Sequence, residues 1–275
     1  MHILEAIFLG FVQGLTEFLP VSSSAHLRIV GLFLPDAKDP GAAFTAVTQL
    51  GTETAVLIYF WKDITRIIGR WFRSVFRRDV PKGDPDVRLG WLVILGTIPI
   101  GVAGLLLKES IETTFRSLWI VAIVLIVFGV LLGLADRLGT KQRSFEQMSY
   151  RHGIAVGLAQ VLALVPGVSR SGATTTAALS LGYARPAAAR FSFLLAVPAV
   201  FGSGLYELGT SFSEPQPYTF AQTMAATGVS FVVGFAVIAF LMNYISRRSF
   251  APFVAYRIVL GVVLLVLLTT GVVSA

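Results

Sequence analysis

Six long apolar stretches recur along the chain, and they restrict the folds that it can adopt. Each has close to the roughly 20 residues that a helix needs to cross the hydrocarbon core of a bilayer. Only 13% of the residues are charged, whereas a soluble domain has about 25%. The pattern predicts an all-α polytopic membrane protein with six full transmembrane helices. They are expected at Phe44–Trp61, Leu89–Leu107, Leu118–Ala135, Phe191–Tyr206, Phe220–Met242 and Phe253–Thr270.

Two polar segments interrupt this apolar pattern: "EFLPVSSSAH" at 17–26, here called the first tip, and "PGVSRSGAT" at 166–174, the second tip. Pro20 and Pro166 lack the N–H that a continuous helix requires. The ten residues Ala25–Leu34 extend only about 15 Å as a helix, which is half of a bilayer core. Non-helical backbone at this depth must be buried in protein or line a cavity. We therefore expect two re-entrant helical hairpins whose tips meet near the membrane midplane.

The two tips belong to an internal repeat with an offset of 147 residues. Segment 10–24 aligns with segment 157–171 at six identical positions of fifteen. Each half reads as a broken pair of helices followed by three full spans, and an odd number of spans inverts the second half. The sequence therefore predicts one integral membrane domain, 1–275, built as an inverted-topology repeat of approximately 1–140 and 148–275. This design places binding sites between discontinuous helices.

The Lys and Arg residues are distributed by loop, which predicts the orientation. Segments 62–88 and 137–151 hold eight and four of them, and five more, Arg257 included, flank later spans on the same side. Because basic loops stay in the cytoplasm, the first hairpin and both termini are expected to face outside. The net charge of +7 follows from these loops, so no nucleic-acid partner is expected. The opposite side holds only three basic residues, in the loops near 34–42, 108–117 and 207–218.

The first tip carries groups for proton transfer and nucleophilic attack. If a helix begins near Ser22, Ser23 and His26 are three residues apart and share a face. A serine beside a histidine can act as a nucleophile with its base. Glu17 could orient that histidine, exchange protons itself or bind a cation. The chain has no cysteine, so thiol nucleophiles and Cys-ligated metals are excluded.

The second tip has the composition of an anion-binding site. Arg170 offers a planar fork of donors that suits phosphate, and Ser169, Ser171 and Thr174 add hydroxyls. A helix beginning here would direct backbone N–H groups at the anion. The alternative role for Ser22 and Ser169 is to cap the helices that follow them.

Together the tips predict hydrolysis of a phosphoester or phosphoanhydride carried by a lipid. The alternative is a lipid-phosphate transporter or flippase, because transporters also use inverted repeats with broken helices. A carrier needs no nucleophile and base, so the first tip favours hydrolysis. Glu53, inside a predicted span, either reaches the same cavity or stays protonated against a neighbouring threonine.

Two motifs resemble those of the undecaprenyl-pyrophosphate phosphatase family linked to bacitracin resistance. They are "QGLTE" at 13–17, continuing as "FLPVSSSAH", and "PGVSRSGAT" at 166–174. The resemblance extends over nearly the whole chain. It implies hydrolysis of the C55 isoprenoid pyrophosphate to the monophosphate and inorganic phosphate, which renews the lipid carrier for cell-wall polymers. It further implies a bacterial plasma-membrane location, a site on the outer side and a divalent cation, Mg²⁺ or Ca²⁺.

The resemblance also implies roles for individual residues. The cation would bind at Glu17 and at Gln13, whose neutral carbonyl is a weaker ligand than a carboxylate. Ser23 is the expected nucleophile and His26 the rival, through a phosphohistidine. The partners implied are a polyprenyl pyrophosphate lipid and the membrane, with a homodimer left open as the assembly. The positions that match functional residues of the family are Glu17, Ser23, His26, Arg170 and Thr174. With the hydroxyls of the tips added, the expected catalytic residues are Glu17, Ser23, His26 and Arg170, and the expected substrate-binding residues are Gln13, Ser22, Ser169, Ser171 and Thr174.

Overall fold

The chain folds into a set of packed α-helices. A computed structural model describes residues 2–34, 40–81, 83–210 and 217–273, and within these ranges the only β-type pairing is one isolated bridge between Arg143 and Tyr183. The predicted outer loops near 34–42 and 207–218 lie partly outside the described residues. The α-helices of the described ranges are α1 (His2–Thr16), α2 (Ser23–Gly31), α3 (Gly41–Tyr59), α4 (Trp61–Phe72), α5 (Pro85–Leu106), α6 (Lys108–Glu112), α7 (Leu118–Leu138), α8 (Tyr150–Val161), α9 (Arg170–Ser180), α10 (Arg185–Thr210), α11 (Phe220–Ile245) and α12 (Ala251–Thr269).

Five of the described helices, α5, α7, α10, α11 and α12, are long and apolar enough to cross a membrane. They coincide with five of the predicted spans, so the prediction of an all-α polytopic membrane protein is confirmed. The sixth predicted span is present as α3 but does not meet the same standard of hydropathy. Its polar side chains explain the difference: they are Thr45, Thr48, Gln49, Thr52, Glu53 and Thr54.

The two polar interruptions break helices where the sequence predicts. Helix α1 ends at Thr16 and α2 begins at Ser23, while α8 ends at Val161 and α9 begins at Arg170. With 9 and 11 residues, α2 and α9 are too short to cross a bilayer. The side chains of Ser22 and Ser169 accept hydrogen bonds from the backbone N–H of Ala25 and Gly172. Both serines therefore cap the short helices, as the alternative role proposed.

Glycines allow the broken helices to pack closely against long ones. A Cβ at Gly10 of α1 would lie 2.3 Å from the carbonyl oxygen of Ala226 in α11. A Cβ at Gly157 of α8 would lie 2.6 Å from the Cα of Gly96 in α5. Small residues permit this approach of helix backbones in membranes. Helices α1 and α8 are thus fixed against different long helices.

The prediction that Arg257 flanks a span at the cytoplasmic side is wrong. This arginine lies within α12 and is fully buried. Its guanidinium donates to four backbone carbonyl oxygens in the interior. A charged side chain can occupy such a position only when its donors are satisfied, and no local pattern in the sequence indicates those partners.

Candidate active site

The two tips contact each other directly. The backbone N–H of Gly167 donates to the Ser22 hydroxyl at 3.1 Å. The Ser171 hydroxyl donates to the backbone carbonyl of Glu17 at 3.3 Å. Residues about 150 positions apart in the chain therefore form one polar cluster inside an apolar protein.

The Glu17 carboxylate is the centre of this cluster. Its Oε2 accepts from Gln13 Nε2 at 2.6 Å and from the Ser23 hydroxyl at 2.5 Å. Its Oε1 accepts from Arg170 Nη2 at 2.5 Å. Gln13 reaches Glu17 because the two residues are one helical turn apart at the end of α1. The bond from Arg170 is the strong one of the three, because its donor is charged.

Glu53 also belongs to the cluster, although the sequence left its role open. Its Oε1 accepts from the same Arg170 nitrogen, Nη2, at 3.0 Å. Glu53 is almost fully buried, and among the described residues its Oε2 has no hydrogen-bond partner. Arg170 therefore stands between two carboxylates, one from the end of α1 and one from α3. The signal in the sequence was an acid inside an apolar span.

The predicted pair of Ser23 and His26 is not formed in the described structure. Ser23 donates to Glu17 instead. His26 Nδ1 lies 2.8 Å from the carbonyl oxygen of Ser22, and its Nε2 lies 2.7 Å from the Tyr256 hydroxyl. Because a carbonyl only accepts, Nδ1 of the neutral imidazole carries the hydrogen and Nε2 accepts from Tyr256. The Ser23 hydroxyl thus contacts a carboxylate rather than the imidazole.

The hydroxyls of the second tip form hydrogen bonds with neighbouring hydroxyl and carbonyl groups of the protein. Ser169 and Ser171 hydroxyls lie 3.1 Å apart. The Thr174 hydroxyl donates to the Arg170 carbonyl at 2.7 Å and also bonds Ser192 of α10. Thr174 is fully buried, so these bonds fix the start of α9. Among the described side chains of the second tip, Arg170 is the one that bonds the Glu17 carboxylate.

The cluster supplies oxygen atoms that suit a divalent cation. In the described part of the chain, Gln13 Oε1 and Glu53 Oε2 are buried and have no partner. Mg²⁺ and Ca²⁺ prefer carboxylate and amide oxygens of this kind. No group of three or more His, Cys, Asp or Glu side chains in the described ranges is arranged to hold a metal. A cation would therefore need the Gln13 amide, or oxygens of its substrate, beside the carboxylates.

Comparison with known proteins identifies the family. Residues 6–263 match the family model described as bacitracin resistance protein BacA. The chain belongs to the BacA family. An undecaprenyl-diphosphatase of Clavibacter michiganensis subsp. michiganensis is 66% identical over 275 residues, covering 100% of both chains. The expected resemblance is confirmed.

Two further relatives of this BacA-family chain carry similar names. An undecaprenyl-diphosphatase of Micrococcus luteus is 65% identical over 275 residues, covering 99% of both chains. A protein of Agrobacterium fabrum named undecaprenyl-diphosphatase 2 is 58% identical over 272 residues, covering 99% of this chain and 98% of its own length.

Proposed function

We propose that this chain hydrolyses undecaprenyl pyrophosphate to undecaprenyl phosphate and inorganic phosphate. The observation that carries the proposal is the contact of the Ser23 hydroxyl with a carboxylate, Glu17, that also binds Arg170 of the other tip. A nucleophile, its base and an anion-binding group thus form one hydrogen-bonded unit. The names of full-length relatives at 58–66% identity support the same reaction.

The proposed first step uses Ser23 and Glu17. Glu17 takes the proton of the Ser23 hydroxyl while the oxygen attacks the terminal phosphorus. The bond from that phosphorus to the bridging oxygen breaks, Glu17 gives the proton to the departing undecaprenyl phosphate, and a phosphoserine remains. In the second step Glu17 accepts a proton from water, whose oxygen attacks the phosphoserine. The bond from phosphorus to the serine oxygen breaks, Glu17 returns the proton to that oxygen, and phosphate is released. This is nucleophilic catalysis by a hydroxyl activated by an adjacent base.

Arg170 stabilises the charge that develops on the phosphoryl oxygens. Positioning and electrostatics account for most of the rate in phosphoryl transfer. The helices α2 and α9 begin at Ser23 and Arg170, so both direct their N-terminal N–H groups towards the junction of the tips, which favours an anion there. Ser169 and Ser171 lie beside Arg170 in the second tip and are proposed to contact the phosphate oxygens after rotation of their hydroxyls.

His26 is the less suitable nucleophile of the two candidates. Both of its ring nitrogens are engaged, one with the Ser22 carbonyl and one with Tyr256. The Ser23 hydroxyl, by contrast, already donates to a base. We therefore assign the attack to Ser23 and give His26 the role of fixing the start of α2 beside it.

A divalent cation, Mg²⁺ or Ca²⁺, is proposed at Glu17 and the Gln13 amide oxygen, with Glu53 close by. When bound, it neutralises negative charge on the pyrophosphate. The buried, unpartnered oxygens of Gln13 and Glu53 in the described structure support this assignment. Glu17 retains its role as the base for Ser23.

Phosphate release by the purified protein in detergent tests the function. The parent chain is expected to release phosphate from undecaprenyl or farnesyl pyrophosphate, and EDTA to lower the rate by at least about tenfold, because a cation contributes several kcal/mol of charge stabilisation. Calorimetric titration with Mg²⁺ and Ca²⁺ measures cation binding without turnover. Intact substrate binding with no phosphate release would favour the transporter alternative, which the relatives' names do not support.

The inverted repeat is proposed for approximately 1–140 and 148–275 within one domain, with α3 as the sixth span and both tips as re-entrant hairpins. Ser22 and Ser169, 147 residues apart, both cap a short helix and have φ of 74° and 70°. Each hydroxyl also bonds the serine two residues later. Gln13 and Gln160, which carry the same offset, are both fully buried. These shared features support the repeat.

The proposed location is the bacterial plasma membrane, with the active site and both termini on the outer side. Labelling of single cysteines tests this orientation, since the chain has none of its own. Thr113→Cys is expected to react with an impermeant maleimide in intact cells, whereas Ser246→Cys is expected to react only after permeabilisation. The reverse pattern would contradict the orientation. A homodimer stays open as the assembly.

A further inference from the structure

Arg257 connects the two tips to the helices that surround them. Its Nη1 donates to the carbonyl oxygen of Pro20 in the first tip at 3.0 Å. Its Nη2 donates to the carbonyl oxygens of Gly167 and Val168 in the second tip at 2.7 Å and 3.0 Å. Its Nε donates to the Leu125 carbonyl of α7 at 3.1 Å. One side chain therefore holds three structural units together.

The environment of Arg257 makes these four bonds costly to lose. The side chain is fully buried, and within the described ranges it has no carboxylate partner. A buried charge without an ion pair is tolerated only when its donors are satisfied. In turn, the tip carbonyls belong to buried non-helical backbone, where a polar group without a partner is costly. Arginine and tips stabilise each other.

Two glycines, Gly129 and Gly172, leave the space that the Arg257 side chain occupies, because a side chain at either position would crowd it. A Cβ at Gly129 of α7 would lie 3.0 Å from Arg257 Cγ, and one at Gly172 of α9 would lie 3.1 Å from Arg257 Nη1. Lysine carries its three donors on one nitrogen, whereas arginine spreads five over a rigid planar fork. Only arginine can reach carbonyls on both tips and on α7 together.

We propose that Arg257 is a positioning residue that keeps the nucleophile of the first tip in register with the anion-binding arginine of the second. Arg257 holds the Gly167 and Val168 carbonyls, and the N–H of Gly167 bonds Ser22, directly before Ser23. Arg170 follows Val168 by two residues. A displacement of either tip would therefore separate Ser23 and Glu17 from Arg170. This inference rests on the proposed hydrolysis.

Arg257→Lys tests the proposal, because it keeps the charge and removes the fork. We expect kcat to fall by about 10²-fold, since a displacement near 1 Å has this effect on an aligned reaction. Binding of the methylene-bridged diphosphonate analogue of farnesyl pyrophosphate should change less than about threefold, because Arg170 remains. Arg248→Lys, the same change at an exposed arginine just before α12, is the matched control and should keep the parent's kcat.

Hydrogen–deuterium exchange of the same proteins provides a readout that does not depend on turnover. In Arg257→Lys, amides of 17–24 and 165–172 should exchange about tenfold faster while those of 85–106 stay unchanged, as expected for local opening. Faster exchange throughout the chain, unchanged exchange in the tips, or equal losses of kcat and analogue binding in folded protein would each overturn the proposal. A parent chain without phosphatase activity would refute the proposed function, and the exchange data would still decide on the role of Arg257.

Discussion

Arg170→Ala is expected to lower kcat/KM for a polyprenyl pyrophosphate by about 10²–10³-fold, the loss typical of removing a group that stabilises charge in the transition state. Arg170 is the side chain that the second tip extends towards Glu17. Its removal also takes away the positive charge that contacts Glu17 and Glu53, so an entering anion is repelled by the negative charge that remains. The measurement is phosphate release at a series of substrate concentrations in detergent.

Two further variants show whether the loss of rate is specific to the guanidinium of Arg170. Arg170→Lys keeps the charge but not the planar fork, so an intermediate rate is expected. Arg248→Ala removes an arginine exposed before α12 and should leave the rate unchanged. A rate for Arg170→Ala within tenfold of the parent would contradict the assignment of Arg170 to the substrate phosphate.

Glu17→Gln is expected to lower kcat by about 10²–10⁴-fold, the contribution usual for a general base. The amide has nearly the same shape and can still accept a hydrogen bond from Ser23, but it cannot take the proton. Glu53→Gln is the matched comparison, because it makes the same change in the other carboxylate that contacts Arg170. Its loss should be clearly smaller, since Glu53 accepts no bond from Ser23 in the described structure.

The acid stability of the phosphoenzyme shows whether Ser23 or His26 is the nucleophile. Rapid acid quench of the parent during turnover should trap a phosphoserine, which survives acid, and Ser23→Ala should abolish it. A phosphoenzyme that is lost in acid would indicate phosphohistidine and would contradict the attack by Ser23. Full turnover by Ser23→Ala would do the same.

Local chemistry made much of the fold predictable. Pro20 and Pro166 mark the breaks because a proline cannot continue a helix, and Ser22 and Ser169 mark the starts of α2 and α9 because a serine can cap one. Five of the predicted spans agree with helices that are apolar enough to cross a membrane. These features depend on residues close together in the chain, so the sequence is sufficient to find them.

Partners that are distant in the chain could not be predicted. His26 bonds Tyr256, which is 230 positions away, and nothing in the apolar sequence of α12 singles out that tyrosine. In the sequence, Arg257 looks like an ordinary basic residue near a span. Its four carbonyl partners could not be identified there, because they come from segments that only the fold brings together. The spacing of three residues on a helix predicted a pair of Ser23 and His26. The actual partner of Ser23 is Glu17, and its proximity depends on how the chain turns at Pro20, which helical spacing does not describe.

Ser22 and Ser169 place a limit on how stable this protein can become. Their φ values of 74° and 70° fall in the region that favours glycine, at a cost of order 1–3 kcal/mol each. Glycine would relieve that cost, but it would delete both helix caps and the hydroxyl that bonds Gly167. Greater heat resistance therefore has to come from the surrounding helices, because replacing either strained serine would remove the hydrogen bond that caps a short helix.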